Sequence, residues 1–306
     1  SKSKKNYTDP FVLFDQYGSD ALRYHLMSSV VMQAEDIEFR DEDIKEIHAR
    51  VVNILRNVKS FYALHKDEAG AASDTSNHVL DQWILTRLEE TVHAATDGFD
   101  HFDTVRATRP MREFIDDFST WYVRRSRDRV KGSDAQAALG TLRYVLLQFS
   151  KIIAPVMPFI AEEIYQEVRA KDDPLSVHLS DWPEASTLHL EANTLLLEMH
   201  EVRELVSLAL EARQKAGIKV RQPLSKLTVN SEQLVGKQDL LELIRDELNV
   251  KTVVVQQGTA ERVALDTTVT PELKEEGELR DLIREVQDLR KSAGLNPKDL
   301  AVLTVP

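Results

Sequence analysis

One stretch, Thr108 to Gly132, constrains the fold of this chain more than any other. Pro110 suits the first turn of a helix, where its missing N–H costs nothing. Apolar side chains then recur at spacings of three and four, the pattern of one buried helix face: Met111, Phe114, Ile115, Phe118, Trp121 and Tyr122. Five cations follow before the glycine: Arg124, Arg125, Arg127, Arg129 and Lys131. The pattern predicts a helix that begins in a core and ends positively charged.

Two interpretations of this basic end are open on the residues alone. At about 100° per residue, Arg124, Arg127 and Lys131 share one side of the helix. Cations near a helix C-terminus are favourable through the macrodipole, so a solvated charged face explains them. The alternative is a face that binds phosphates.

Composition limits the class of protein. The chain has 306 residues, enough for two or three domains, with 42% hydrophobic and 29% charged residues. It has no cysteine, which excludes disulfides, thiolate zinc sites and cysteine nucleophiles. The net charge of −12 argues mildly against nucleic-acid binding, although local patches decide such contacts. The first residue is not Met, and we expect the chain to be an excerpt of a longer protein.

The order of patterns predicts a mainly α chain with an α+β end. Helical periodicity from Asp41 predicts an antiparallel bundle with short loops, in which Asp97-Gly98 ends the second helix. A long helix over Thr194–Ala216 precedes an order of strands and helices, βαββαβ, that is typical of the ferredoxin-like fold. The predicted strands of this second region are 226–229, 251–256, 262–267 and 300–305, and its predicted helices are 239–248 and 271–292. We expect domains at 1–40, 41–183 and 184–306.

Two short segments of the C-terminal region are similar in sequence. Residues 213–218, RQKAGI, resemble residues 290–295, RKSAGL, and each is the end of a predicted helix that is followed by a strand. Two similar helix C-caps explain this similarity as well as a true repeat does.

Catalytic motifs are absent from the sequence. The ten glycines form neither a GxGxxG nor a Walker loop, and the nine histidines include no HExxH. No Ser/His/Asp set can be argued from spacing. The chain is therefore expected to bind rather than to catalyse.

Several motifs in order resemble a class I aminoacyl-tRNA synthetase, and within that class an isoleucyl-tRNA synthetase. SKS at 1–3 is similar to the end of a KMSKS loop, and YGSDALR at 17–23 to the segment that follows it. KIIAPVMPFIAEEIY (151–165) and SVHLSDWP (176–183) resemble the end of the anticodon-binding domain. FIDDFSTWYVRRSRDR (114–129) and AGIKVRQPLSKL (216–227) resemble the isoleucine enzymes in particular.

The resemblance implies a function for each region. The parent enzyme would attach isoleucine to tRNA(Ile) in the cytoplasm with ATP and Mg²⁺, as a monomer, with its catalytic domain absent here. Lys2 would face the ATP phosphates, with Ser1 and Ser3 shaping the loop, and residues up to 40 would contact the tRNA stem. The chain alone is expected to be inactive, without a metal site or cofactor. Candidate tRNA contacts are Trp121, Tyr122, Arg124, Arg125, Arg127, Arg129 and Lys131. Alternatives are a fragment of a valyl- or leucyl-tRNA synthetase, or a helical adaptor for protein partners.

Overall fold

The computed structural model describes residues 8–184, 193–258, 261–295 and 299–302. The chain divides into two compact units, Ser1–Asn193 and Thr194–Pro306, called here the helical unit and the α/β unit. None of the helices within the described residues is long and apolar enough to cross a membrane.

The helical unit is built from α-helices joined by short loops. Its α-helices are α1 Pro10–Tyr17, α2 Ser19–Met27, α3 Asp41–Ile47, α4 Asn53–His65, α5 Val79–Asp100, α6 Thr104–Asp117, α7 Arg124–Ser126, α8 Ala135–Ile153 and α9 Pro158–Val168. Two π-helical segments, His48–Val52 and Phe118–Val123, join α3 to α4 and α6 to α7. Short 3₁₀ helices cover Val30–Gln33, Lys66–Glu68, Arg129–Lys131 and Val177–Leu179.

Two details of the helix boundaries correct the sequence-based expectation. Helix α5 continues past Asp97-Gly98 to Asp100. Gly98 lies within the helix, and its missing side chain lets the next helix approach closely. A Cβ built at Gly98 would lie 2.5 Å from the backbone nitrogen of Ala107. Pro110 lies inside α6 rather than in its first turn, since the helix begins at Thr104, where Asp103 caps the N–H of Arg106 at 2.9 Å.

The first helices pack on the bundle through polar side chains. Asp20 of α2 accepts hydrogen bonds from the backbone N–H groups of Phe159 (3.3 Å) and Ile160 (2.6 Å), which caps the start of α9. Arg23 donates to the carbonyl oxygens of Pro155 (2.8 Å) and Val156 (3.0 Å). The two motifs at 17–23 and 151–165 are thus in direct contact within the helical unit.

Within its described residues, the α/β unit contains a small mixed sheet and three helices. Its elements are α10 Asn193–Lys215, β1 Leu224–Val229, α11 Gln238–Leu248, β2 Val250–Val255, β3 Val263–Leu265 and α12 Pro271–Ser292. The strand order is β2-β1-β3, with β1 parallel to β2 and antiparallel to β3. Leu224 pairs with Val250, and Leu227 with Leu265.

A helical unit followed by a smaller unit of helices and strands is the predicted fold class, and it is confirmed. The strand order differs from the ferredoxin-like one, in which β3 would separate β1 from β2. Here β1 is central, because Leu224, Leu227 and Val229 are fully buried, whereas Lys251 and Thr252 of β2 are exposed. Residues 300–302 of the expected last strand are not in a strand, and its remaining residues, 303–305, lie outside the described residues.

Candidate nucleic-acid interface

The helix that carries the basic cluster is anchored by its apolar face. Met111, Phe114 and Ile115 of α6 and Phe118 of the following π-helix are at most 1% exposed. The ring of Phe114 lies 4.7 Å from that of Phe149 on α8, centroid to centroid. This packing fixes the helix in the core. A π-helical turn rotates the residues that follow it relative to a regular α-helix, and such turns are frequent at functional sites.

Tyr122 belongs to the core and not to the surface. It is fully buried, and its hydroxyl donates to the Asp81 carboxylate at 2.9 Å and to the Ala138 carbonyl at 3.3 Å. Burial, and then the neighbouring Asp81 charge, raise the pKa of Tyr122 well above its ordinary value. Tyr122 was one of the candidate tRNA contacts, and in this structure its ring has no face open to a base.

Arg129 also points inward. Its Nη1 and Nη2 atoms each lie 2.8 Å from an oxygen of Asp81, and its Nε donates to Asp134 at 2.7 Å. The side chain of Asp81 is fully buried and that of Arg129 is 13% exposed. Burial alone would lower the pKa of Arg129, but the hydrogen bonds and charge of Asp81 raise it. Arg129, a candidate tRNA contact by sequence, is thus half of a structural ion pair and faces the core rather than solvent.

Three other cations lie on the opposite, solvent-facing side of this segment. We call Arg124, Arg127 and Lys131 the outer basic face; all three side chains are exposed. Partial burial, and then the like charge of Arg127, lower the pKa of the Arg124 guanidinium. Three exposed cations within eight residues concentrate positive charge on this side of the segment. Such a concentration suits an anionic ligand.

Trp121 and Arg125 form a pair beside this face. Both are partly exposed, and Cζ of Arg125 lies 5.7 Å from the centre of the Trp121 ring. A guanidinium at this distance from an indole is within the range of a cation–π interaction. The pair supplies a flat, partly accessible surface of the kind on which a base can stack.

Sequence reasoning missed Asp81. This residue receives both Tyr122 and Arg129 and thereby decides which cations face inward. The available signal was an acid in the first turn of α5 next to the apolar positions Leu80 and Trp83. That signal is weak, because acids are common in the first turn of a helix.

The remaining sequence-based assignments concern the chain start and metals. Ser1, Lys2 and Ser3 lie outside the described residues. Among the residues that the structure describes, no group of three or more His, Cys, Asp or Glu side chains could hold a metal ion.

Comparison with known proteins defines the class. Residues 81–228 match the family model described as the anticodon-binding domain of tRNA ligase. The structure of a LeuRS–tRNA–LeuAMS ternary complex from Agrobacterium radiobacter K84 is similar at a TM-score of 0.47 and 18% identity, over 62% of this chain and 22% of that one. By the family match, the chain contains a tRNA ligase anticodon-binding domain.

Three curated relatives identify which tRNA ligases this chain resembles, and each of them is an isoleucine–tRNA ligase. The protein of Chlamydia trachomatis serovar L2 is 36% identical, covering 96% of this chain and 29% of the relative. The proteins of Leifsonia xyli subsp. xyli (33%) and Treponema pallidum (31%) align with the whole chain and with 34% and 37% of their own lengths. The chain belongs to the isoleucine–tRNA ligase family and spans about a third of the length of these relatives. The valyl, leucyl and adaptor alternatives are not favoured.

Proposed function

We propose that the helical unit binds the anticodon stem-loop of a tRNA through the outer basic face. The observation that carries this proposal is the division of the cation cluster: Arg129 neutralises a buried acid, while Arg124, Arg127 and Lys131 point to solvent. Exposed cations on a rigid helix position nucleic-acid phosphates. The match of residues 81–228 to an anticodon-binding domain supports the same partner.

Trp121 provides the second contact in this proposal. Sequence-specific recognition of RNA generally uses unpaired bases of loops, which stack on aromatic rings or on guanidinium planes. The Trp121–Arg125 pair offers both surfaces next to the outer basic face. A splayed anticodon base stacks on this pair while the outer basic face holds the neighbouring phosphates.

The parent protein would be an isoleucine–tRNA ligase that joins isoleucine to tRNA(Ile) with ATP and Mg²⁺. Relatives with that name support this activity. Lys2, between Ser1 and Ser3, would stabilise negative charge on the ATP phosphates during the reaction. The segment up to residue 40 would contact the tRNA stem. A monomeric, cytoplasmic protein is the state we expect for such an enzyme.

Binding of a labelled tRNA anticodon stem-loop, measured by fluorescence anisotropy across a range of salt concentrations, tests the docking face. The triple variant R124A/R127A/K131A is expected to bind more weakly. The slope of log affinity against log salt should fall by about 2–3, because each lost phosphate contact removes about 0.7–0.9.

A matched control keeps this test specific. The variant K45A/R50A/K171A removes the same net charge from other exposed positions of the helical unit and should leave the salt slope nearly unchanged. Equal effects of the two triple variants would mean that only overall charge matters. An unchanged slope in R124A/R127A/K131A would show that RNA docks elsewhere.

A further inference from the structure

The two helix ends that echo each other in sequence also share a backbone geometry. Arg290 lies 77 residues after Arg213, and Gly294 lies 77 after Gly217. Both glycines have a positive φ, 68° and 72°. The N–H of Ile218 donates to the carbonyl of Arg213 at 3.0 Å, and the N–H of the residue after Gly294 does the same to Arg290 at 3.1 Å. Both ends therefore have the Schellman geometry.

The arginine side chains repeat as well, which a C-cap does not require. Arg213 is 1% exposed, and its Nη2 donates to the carbonyls of Lys219 (2.7 Å) and Gln222. Nη2 of Arg290 donates to the carbonyl of Asp299 at 2.8 Å. Gln222 and Asp299 each lie nine residues after their arginine. This shared side-chain bond favours a true repeat over two similar caps.

The apolar faces of the two helices align at the same spacing of 77. On α10, four side chains at most 3% exposed form a buried stripe: Val202, Leu205, Val206 and Ala209. The residues at the equivalent positions of α12 are also apolar: Leu279, Leu282, Ile283 and Val286. On α12 the first three of them are 55%, 48% and 52% exposed. The same stripe is thus buried in the first copy and open in the second.

Contacts within the α/β unit show what lies along α10. Glu198 pairs with Lys237 at 2.8 Å, before α11, and Glu201 pairs with Arg262 at 2.8 Å, before β3. Nη1 of Arg213 donates to the carbonyl of Leu248 at 3.1 Å, at the end of α11. Helix α10 therefore lies along the sheet and its crossover helix.

Helix α12 packs in this unit through its other side. Leu273 is 8% exposed, and its carbonyl accepts a hydrogen bond from Gln222. Gly277 also faces Gln222, whose Oε1 would lie 2.5 Å from a Cβ at Gly277. At about 100° per residue, Gly277 and Leu282 lie on roughly opposite sides of the helix. The packed side and the apolar stripe are different faces of α12.

We propose that α12 begins a second copy of the helix-and-sheet arrangement, and that its apolar stripe packs on a second β-sheet built by the residues after Asp299 in the parent protein. Leu-Thr-Val occurs at 227–229 in β1 and again at 303–305, a spacing of 76 rather than 77. The chain spans about a third of its relatives' length, and the proposal assigns the second sheet to residues of the parent protein that follow Asp299. This proposal stands apart from RNA binding by the helical unit.

Thiol labelling tests the proposal cleanly, because the chain has no cysteine of its own. Single variants L279C and V202C place a thiol at equivalent positions of the two stripes. In this chain, L279C should react quickly with a thiol reagent and V202C slowly. In the full-length parent protein, peptide mass spectrometry should find L279C protected by at least about tenfold, as burial excludes the reagent. L282C serves as a second probe of the open stripe should L279C not fold.

Three further arms decide what covers the stripe. Deleting the residues after Pro306 from the full-length protein should restore the reactivity of L279C. L279C that stays reactive in the full-length protein overturns the proposal, as does protection that survives the deletion. Protection in this chain that rises with protein concentration, or on addition of total tRNA, would assign the stripe to a second copy or to RNA and would also overturn it.

Discussion

The cations on the two sides of one basic segment differ in burial and in pairing. Arg129 and Arg127 are two residues apart, yet Arg129 is hydrogen-bonded to a fully buried Asp81 while Arg127 is exposed. A buried charge must be paired, because removing it from water costs several kcal/mol. An exposed cation has no such requirement and remains available to a ligand. This difference shows that a cluster of cations can serve two roles. Cations that pair with a buried acid stabilise the fold, and cations on the exposed side can contact a ligand.

The sharpest way to break this comparison is to remove one cation from each side. R129A should lower the free energy of unfolding by about 3–5 kcal/mol, because it leaves the Asp81 charge buried and unpaired. R127A should change it by less than about 0.5 kcal/mol, as surface substitutions do. Urea denaturation followed by tryptophan fluorescence measures both. Similar losses for the two variants would remove the distinction between the sides.

Trp121 and Tyr122 extend the comparison to neighbouring aromatic residues. W121A should weaken binding of the tRNA anticodon stem-loop by about 1–3 kcal/mol, the usual value of one base stacked on an aromatic ring. W121F keeps an aromatic ring and should lose much less. Fluorescence anisotropy at fixed salt gives the affinities. If W121A binds as tightly as the unmodified chain, Trp121 does not stack on a base of the RNA.

A change at Tyr122 should affect the stability of the fold and not the affinity for RNA, the reverse of what is expected for Trp121. Y122F removes the hydroxyl that donates to Asp81 and should cost about 1.5–3 kcal/mol of unfolding free energy, typical of a hydrogen bond to a charged group. RNA affinity of the folded protein should not change. Parallel urea titrations and anisotropy measurements check this pair of expectations, and a loss of affinity without a loss of stability would contradict the buried role.

The smallest expected effect is on the pH dependence of stability, and it concerns Glu163, a half-exposed acid outside the basic segment. Burial alone would raise the pKa of Glu163, but hydrogen bonds from Lys59 (2.7 Å) and Arg56 (3.3 Å) outweigh it and lower the pKa from its ordinary value. A lowered native pKa stabilises the fold above the ordinary pKa, and this contribution is lost as pH falls through the native value. E163Q should therefore destabilise at neutral pH and converge with the unmodified chain in acid.

Urea midpoints at about pH 7 and about pH 3.5 measure this convergence. E68Q, at an exposed acid of the 3₁₀ helix that follows α4, is the control and should leave both midpoints unchanged. A gap between E163Q and the unmodified chain that widens in acid would contradict the assigned role of Glu163.

Sequence periodicity predicted the helices well, because one face of each must be apolar to reach a core. The predicted boundaries of α12, 271–292, agree with the structure. The end of α5 was missed, since a glycine that breaks a helix locally can instead permit close packing, as Gly98 does against Ala107. The β2–β1–β3 order was missed because local pattern identifies strands but not their neighbours.

The sequence by itself determined the helical unit, the presence of a small sheet, the family resemblance and the existence of a cation cluster, since all of these are encoded in local spacing and motif order. Only the tertiary structure decided that Arg129 and Tyr122 converge on Asp81 and that Arg124, Arg127 and Lys131 remain exposed. The reason is that the direction of a charged side chain depends on whether a partner from a distant element is buried beside it. Asp81 lies 48 residues before Arg129, and no local pattern in the sequence joins them.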